Sequence, residues 1–508
     1  MALGAIQKVE ARAASIRAAV GRGEMIRTIL VSECDQDEMT RLPSLERLAK
    51  DSFPVAAGDR FMINQNWWFS TLLIRQFKYC PPLNTEIKCD VLIVGGGFSG
   101  MSAAAEFLQK GFKVVLIDRN MVGGSSSGRS AGFLTPDSEL ELHQLVRRFG
   151  PDAAREIWEM PCRGIDRIVQ AIKKNDIDCN LIQQDSLFLG IGKGGKEAVA
   201  SERECRESVG FTDQQVYDEN ELKGVLGAEG FTAGIRYTGT YGVNPLLCLQ
   251  GLKDILIDNG MQVFESTEML RLDDHTAYTH GGSITADHII IAVDKLKSSL
   301  SPLAGEIFHA QTFMSVTEPL TDKELNVLFP GGKQMQCWDS KLVYSYFRLT
   351  GENRLLLGGG SPLSTFLPSA YNGPFIIKKV IKEFKGRFPH LRDLSFIQFW
   401  PGLIDTTRDL LPIIVKPPGQ PHLQFILGIV GLPWATFAGS FAARNILGDA
   451  DEDYAKYYPY FSNRRHFSLP SGLAKIVGKP AVFSLANSWA KFYQVDTHRK
   501  PVAMKDEF

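Results

Sequence analysis

No two cysteines of this 508-residue chain are spaced Cys-x-x-Cys, and none belongs to a Cys/His cluster. The eight cysteines are scattered from Cys34 to Cys337, so neither a disulfide framework nor a metal site is expected, and a reducing compartment is the simplest setting. An excess of either charge is also missing. With 56 Lys+Arg against 57 Asp+Glu the formal net charge is -1, which excludes an electrostatic nucleic-acid surface as the organising feature. An unbroken apolar span is lacking too. Residues 425–443 carry no charge, but Gly428, Gly431 and Pro433 interrupt them, so they read as strand, turn and helix with no integral membrane span. There is no repeat, no low-complexity tract and no secretory core at the N-terminus. Leu3, Ile6, Val9, Ile16 and Val20 form a helical apolar stripe there, while Glu10 and Glu24 argue against a mitochondrial presequence. A cytoplasmic protein is expected, with that helix docking on the body or on a protein partner.

What is present is a globular composition, 44% hydrophobic and 22% charged, on a chain long enough for two or three domains. Residues 91–94 are a continuous apolar run that enters Gly95-Gly96-Gly97-Phe98-Ser99-Gly100. The run reads as a parallel strand covered on both faces. Gly95 permits the tight turn, Gly97 allows backbone to approach a pyrophosphate, and Gly100 lets the next helix, residues 99–110, pack on the strand. That helix presents free amides and its positive dipole end to phosphate. Residues 114–117 form the following strand, and Asp118 ends it where a ribose hydroxyl would be bound. The unit identifies a dinucleotide-cofactor protein.

Just past Asp118 lies a second small-residue cluster, Gly123-Gly124-Ser125-Ser126-Ser127-Gly128-Arg129-Ser130-Ala131-Gly132, able to complete a phosphate cradle with Arg129 as counter-charge. Helical patterns occupy 138–175 and 196–224. Strand-like runs follow at 262–264, 288–293, 342–349 and 354–358, and 284–293 after Gly281-Gly282 reads as a hairpin feeding a parallel strand. Ahead of the cofactor unit, Trp67-Trp68-Phe69 reads as core packing or an edge cover, and Pro81-Pro82 as an extended linker.

These motifs, with Tyr241-Gly242-Val243-Asn244-Pro245, Tyr344 to Thr350, Asn353 to Gly360, Trp400-Pro401-Gly402 and Asp409 to Pro412, resemble the D-amino-acid oxidase and glycine oxidase superfamily, and within it the gamma-glutamylputrescine oxidase branch. The resemblance covers about residues 60–495. It implies an α/β (α+β) fold: a discontinuous Rossmann-like FAD-binding domain at 86–150, 225–300 and 395–450, and a mixed-sheet substrate domain at 151–224 and 301–394. Residues 1–85 would be an N-terminal extension and 451–508 a C-terminal helical one. Non-covalent FAD is implied, because the position of the cysteine that tethers FAD in sarcosine oxidases falls near Gly402 here. Carried onto this chain, the cofactor contacts are Gly95, Gly97, Phe98, Ser99, Gly100, Asp118, Arg119, Ser126, Ser127, Gly128, Arg129, Ser130, Ala131, Gly132 and Met269. Gly431, Leu432 and Pro433 would contribute from the closing turn, whose helix would face the flavin with its positive end.

The reaction implied is oxidation of an amine or amino acid, a polyamine derivative or secondary amine, to an imine by hydride transfer to the flavin. Tyr344, Tyr346, Arg348, Trp400 and Trp434 are the pocket candidates, though strand tyrosines and tryptophans also serve as core and an arginine as a surface ion pair. Two departures stand out. Gly431-Leu432-Pro433-Trp434 replaces the usual Gly-His-Gly, and Leu355-Leu356-Leu357 stands where sarcosine-type oxidases place a lysine that favours reaction with oxygen. Oxygen or another electron acceptor, as in a dehydrogenase, is therefore open, as is a non-catalytic binding or scaffold protein.

Overall fold

The structure is a computed structural model that describes residues 57–75, 77–137, 139–341, 343–361, 373–449 and 452–463. The N-terminal apolar stripe and most of the expected C-terminal extension lie outside the described residues. Strand Ile87–Val94 is the middle of an eight-stranded sheet, with Val114–Ile117 on one side and Ser283–Ile291 on the other, both parallel to it. Val91, Leu92 and Ile93 have no solvent exposure, the burial on both faces that an unalternating apolar run requires. Gln262–Phe264 continues the parallel set beyond Val114–Ile117, and Leu423–Leu427 continues it beyond Ser283–Ile291. Strand Thr276–Tyr278 pairs antiparallel with Ser283–Ile291, the hairpin expected from Gly281-Gly282. The uncharged run at 425–443 is strand Leu423–Leu427, a turn and helix Leu432–Leu447. Among the described residues no helix is long and apolar enough to cross a membrane.

Two helices beside this sheet close against each other through glycine. A Cβ on Gly439, in helix Leu432–Leu447, would lie 2.0 Å from the carbonyl oxygen of Ser99 in helix Phe98–Gln109. Only a missing side chain permits that approach.

A nine-stranded mixed sheet forms the second layer, in the order 63–64, 396–406, 308–319, 354–359, 346–349, 335–339, 185–190, 233–237, 214–218. Its strands alternate. Leu187, Leu189, Phe313, Cys337, Phe347, Leu349, Leu355 and Leu357 point to one face, where helix Phe375–Arg387 covers them with Ile377, Val380, Ile381 and Phe384. The opposite face looks back toward the nucleotide turn. Strands Ala233–Tyr237 and Phe396–Thr406 join this sheet, although the sequence reading groups their segments with the nucleotide-binding domain. Helices Leu142–Phe149, Pro151–Lys174 and Gly192–Ser208 occupy the expected helical stretches, but Gln214–Asp218 is an edge strand on Ala233–Tyr237. Tertiary pairing overrides local propensity there.

The described part of the N-terminal extension is a brace. Asn66 caps helix Trp67–Leu73 by accepting from the Trp68 amide at 3.0 Å, and Trp68 is buried edge-on to Trp400 at 6.5 Å between ring centres. Strand Ile63–Asn64 runs parallel to Phe396–Thr406.

Candidate functional site

One cavity of about 1080 Å³ runs from the glycine turn to the inner face of the large sheet. At the turn, Gly95 has φ of 113°, and a Cβ there would lie 2.2 Å from the Ala292 carbonyl oxygen. A Cβ on Gly100 would lie 2.0 Å from the Gly95 oxygen. Gly97 faces the cavity itself. Asp118 lines the same end, and its carboxylate also ties the turn together: Oδ2 accepts from the Gly96 amide and Oδ1 from the Asn120 amide, both at 2.7 Å. Burial pushes its carboxyl up, and those two amides act in the opposite direction. Arg119 and Met269 border this end with Thr267 and Glu268. Behind it, Glu265 accepts from the Cys80 amide at 2.7 Å and the Val122 amide at 2.6 Å, with Lys253 Nζ 3.4 Å away. Sequence reasoning assigned Glu265 no role; its partners are distant in the chain.

The small-residue cluster forms the next stretch of wall, with Ser126, Ser127, Arg129, Ser130, Ala131 and Gly132 at the cavity. Its backbone is held from behind at four consecutive carbonyls: Asn66 Nδ2 donates to Gly128 O at 2.6 Å, Trp400 Nε1 to Arg129 O at 2.9 Å, Trp68 Nε1 to Ser130 O at 2.8 Å and Arg348 Nε to Ala131 O at 2.7 Å. Arg348 also donates to Val243 O at 2.5 Å and Leu349 O at 2.9 Å. Arg348 and Trp400 are almost fully buried and stand outside the cavity wall; the structure places them beneath the cluster and not in the pocket. Gly100 and Gly128 likewise serve close packing, with a Cβ on Gly128 2.1 Å from Gly123 O.

At the closing turn Gly431 has φ of 93° and precedes helix Leu432–Leu447. Gly431, Leu432, Pro433 and Ala435 face the cavity. Trp434 does not: a residue two positions past Leu432 is rotated about 200° around the helix, which turns it into the core at 4% exposure.

Above these elements the large sheet supplies alternate residues Ala310, Thr312 and Met314 of one strand and the consecutive residues Gly402 to Thr406 of its neighbour. Tyr346 stands over Gly358, where a Cβ would lie 2.2 Å from its ring. Its ring centre is 6.0 Å from Phe133 and 5.7 Å from Tyr344, and all three line the cavity. Tyr344 and Tyr346 are thus the pocket candidates that reach it.

Beyond the tyrosines the wall is acidic. Tyr237 OH donates to Asp137, Tyr344 OH to Glu139 Oε1 at 3.4 Å and Trp338 Nε1 to Glu141 Oε1 at 2.6 Å. Burial raises the Asp137 carboxyl to about 6 and the Glu139 carboxyl to about 7, and pushes Glu141 well above its usual range. His143 lines the cavity with Nδ1 2.8 Å from Glu202 Oε2. Neither the three acids nor His143 was singled out from sequence; Asp137, Glu139 and Glu141 alternate, which is the one local signal. For Glu139 the sign is clear. The unfolded carboxyl ionises near 4.5 and the folded one near 7, so folding is favoured below 4.5 and that contribution is lost as pH rises to about 7. Glu139→Gln is expected to flatten the fall in Tm of the purified protein over that window; an unchanged slope counts against the assignment.

Away from the cavity, Asp274, His275 and His422 bring one ligand-type atom each within 4.8 Å of one another. The imidazoles are stacked at 3.9 Å, which presents ring faces, not nitrogens, to each other.

Comparison with known proteins matches residues 90–444 to the family described as FAD dependent oxidoreductase. The gamma-glutamylputrescine oxidoreductase of Escherichia coli K12 is 26% identical over 404 residues, 78% of this chain and 91% of that protein. Among solved structures, glycine oxidase from Geobacillus kaustophilus superposes with a TM-score of 0.62 at 17% identity, covering 75% of this chain and 100% of that one. L-proline dehydrogenase from P. horikoshii gives 0.60 at 17% identity, with 74% and 98% covered. At those identities the likeness is one of fold.

Proposed function

The chain belongs to the FAD dependent oxidoreductase family and is an FAD-binding enzyme, and on that premise we propose that it oxidises the carbon next to the nitrogen of an amine or amino acid, with a polyamine derivative or secondary amine as the finer reading. The observation that carries this is the single cavity joining the glycine turn to a pocket walled by Phe133, Tyr344, Tyr346 and Met314. Its residues fit the cofactor: the cradle at Gly97, which a side chain would fill, lies at a helix N-terminus, and Asp118 and the braced cluster at 126–132 continue the wall. Residues 95–100, Asp118, Arg119, Met269, the cluster and the closing turn 431–433 would hold it. What bound FAD supplies is a two-electron acceptor for the hydride of a C–H bond beside nitrogen, leaving an imine that water hydrolyses. The aromatic and thioether walls keep water out and hold the C–H bond in one pose. Arg348, Trp400, Trp68 and Asn66 keep the cluster's backbone in place, so they act as positioning residues. Leu355, Leu356 and Leu357 are fully buried and outside the cavity lining, so the positions where sarcosine-type oxidases bear a lysine offer no cation to favour oxygen. An acceptor other than oxygen suits this arrangement.

Mixing the holoenzyme anaerobically with a panel of amines and amino acids is expected to bleach the flavin absorbance with at least one amine. Admitting oxygen then reports the acceptor: slow recovery of colour supports a dehydrogenase. A fully loaded protein that no member of the panel reduces overturns the proposal.

A further inference from the structure

The stretch after Phe133–Leu134 carries an acid at every second position, Asp137, Glu139 and Glu141, and all three line the cavity. Each shares an oxygen with an aromatic donor, Tyr237, Tyr344 or Trp338. Glu141 Oε2 is buried and has no hydrogen-bond partner among the described residues. A buried carboxylate oxygen left unpaired is costly, and a donor brought to Glu141 would offset that cost.

The cations nearby have other commitments. Arg206 pairs with Glu202 at 3.1 Å and lies 3.8 Å above the Tyr237 ring. His143 is held by the same Glu202, Lys341 pairs with Glu383 at 2.6 Å, and Arg148 Nη1 reaches Asp409 O at 3.4 Å. Arg147, on the same helix as His143, is exposed. Three acids and three aromatic side chains, Phe188, Trp338 and Tyr344, wall one end of the cavity, where His143, Arg147, Arg148 and Lys341 also reach the lining. Carboxylates with aromatic faces are the chemistry that holds an alkylammonium. Burial raises all three carboxyls, as expected of acids whose counter-ion is still to come.

Resting on the amine reading above, we propose that the substrate is a di- or polyamine whose second ammonium, away from the carbon being oxidised, is bound by Asp137, Glu139 and Glu141 beside Trp338 and Tyr344. Phe133, Tyr346, Tyr344 and Glu139 follow one another in contact, so a linear chain has a continuous path from the wall beside Gly132 to the acids. A substrate whose far end is a carboxylate lacks the N–H donors that these acid oxygens accept from.

The test uses the holoenzyme under anaerobic conditions, with flavin bleaching and calorimetric binding as readouts. The ligands are a four-carbon diamine, butylamine and the four-carbon amino acid with a terminal carboxylate. The diamine is expected to bind at least about tenfold more tightly than butylamine, with the amino acid weakest, since one charge-assisted contact commonly carries that factor. In Glu141→Gln and Glu139→Gln the diamine advantage is expected to shrink to about threefold or less. If a variant does not fold, a ladder of diamines from three to six carbons in the unaltered protein decides, because a fixed second site produces an optimum length. No diamine advantage at any length, or a full advantage retained in Glu141→Gln, overturns this inference alone. Bleaching by no amine at all overturns the reading it rests on as well.

Discussion

Gly97→Val is expected to purify as a folded but colourless protein, with bound FAD below about a tenth of stoichiometric. Gly97 ends the turn and caps helix Phe98–Gln109 without any side-chain bond, so its own surface faces the cavity. A Cβ there already lies 2.9 Å from Ser127 Oγ, and valine adds two methyl groups in the space where main chain and phosphate must meet. The Ser127 hydroxyl can rotate away, so the fold survives while the cradle is filled. Gly100→Val makes the contrast. Its Cβ would lie 2.0 Å from a backbone oxygen, which cannot move without opening the strand-helix packing, so that variant is expected to lose fold and flavin together. Circular dichroism and the visible spectrum separate the two cases. A yellow Gly97→Val at full loading would show that the glycine turn does not hold the coenzyme.

Arg348→Met is expected to lower stability by on the order of 4 kcal/mol, from the loss of charged hydrogen bonds and the stranding of buried acceptors. In a chain of this size that corresponds to a Tm lower by about 4 °C. Of the three carbonyls left behind, those of Val243 and Leu349 belong to fully buried residues and that of Ala131 to the partly buried cavity wall. Because Ala131 belongs to the cofactor wall, FAD retention is expected to fall with stability. Relative rates among different amines are expected to stay the same, since Arg348 does not reach the cavity. Arg348→Lys should not restore the protein, for an ammonium on a flexible stem cannot span three carbonyls as a planar fork does. A normally stable Arg348→Met with altered substrate preference would return Arg348 to the pocket, where sequence reasoning first placed it.

Tyr346 and Arg348 lie on one face of the same strand, as do Trp400 and the cavity residues Gly402 and Ile404 on another. Period-two alternation tells which side of a sheet a residue takes. It says nothing about where along that side the cavity stops. Trp434 failed for the helical version of the same reason, since one of its neighbours, Leu432 or Ala435, had to face inward and the sequence does not say which face of the helix that is. The acids at 137, 139 and 141 were overlooked because their partners Tyr237, Trp338 and Tyr344 are 100 to 205 residues away in the chain.

The glycine turn, the buried parallel strand and the acid that closes the unit were readable in the chain alone, and with them the cofactor class, because each answers to a constraint acting over a few residues: a positive φ, a phosphate's radius, a strand covered twice. Which tyrosines meet the cavity, which tryptophans and arginine brace its wall, and which carboxylates end it were decided only when distant strands came into register. Those choices depend on the relative height of two layers, a quantity set by the packing of the whole core and written in no local pattern.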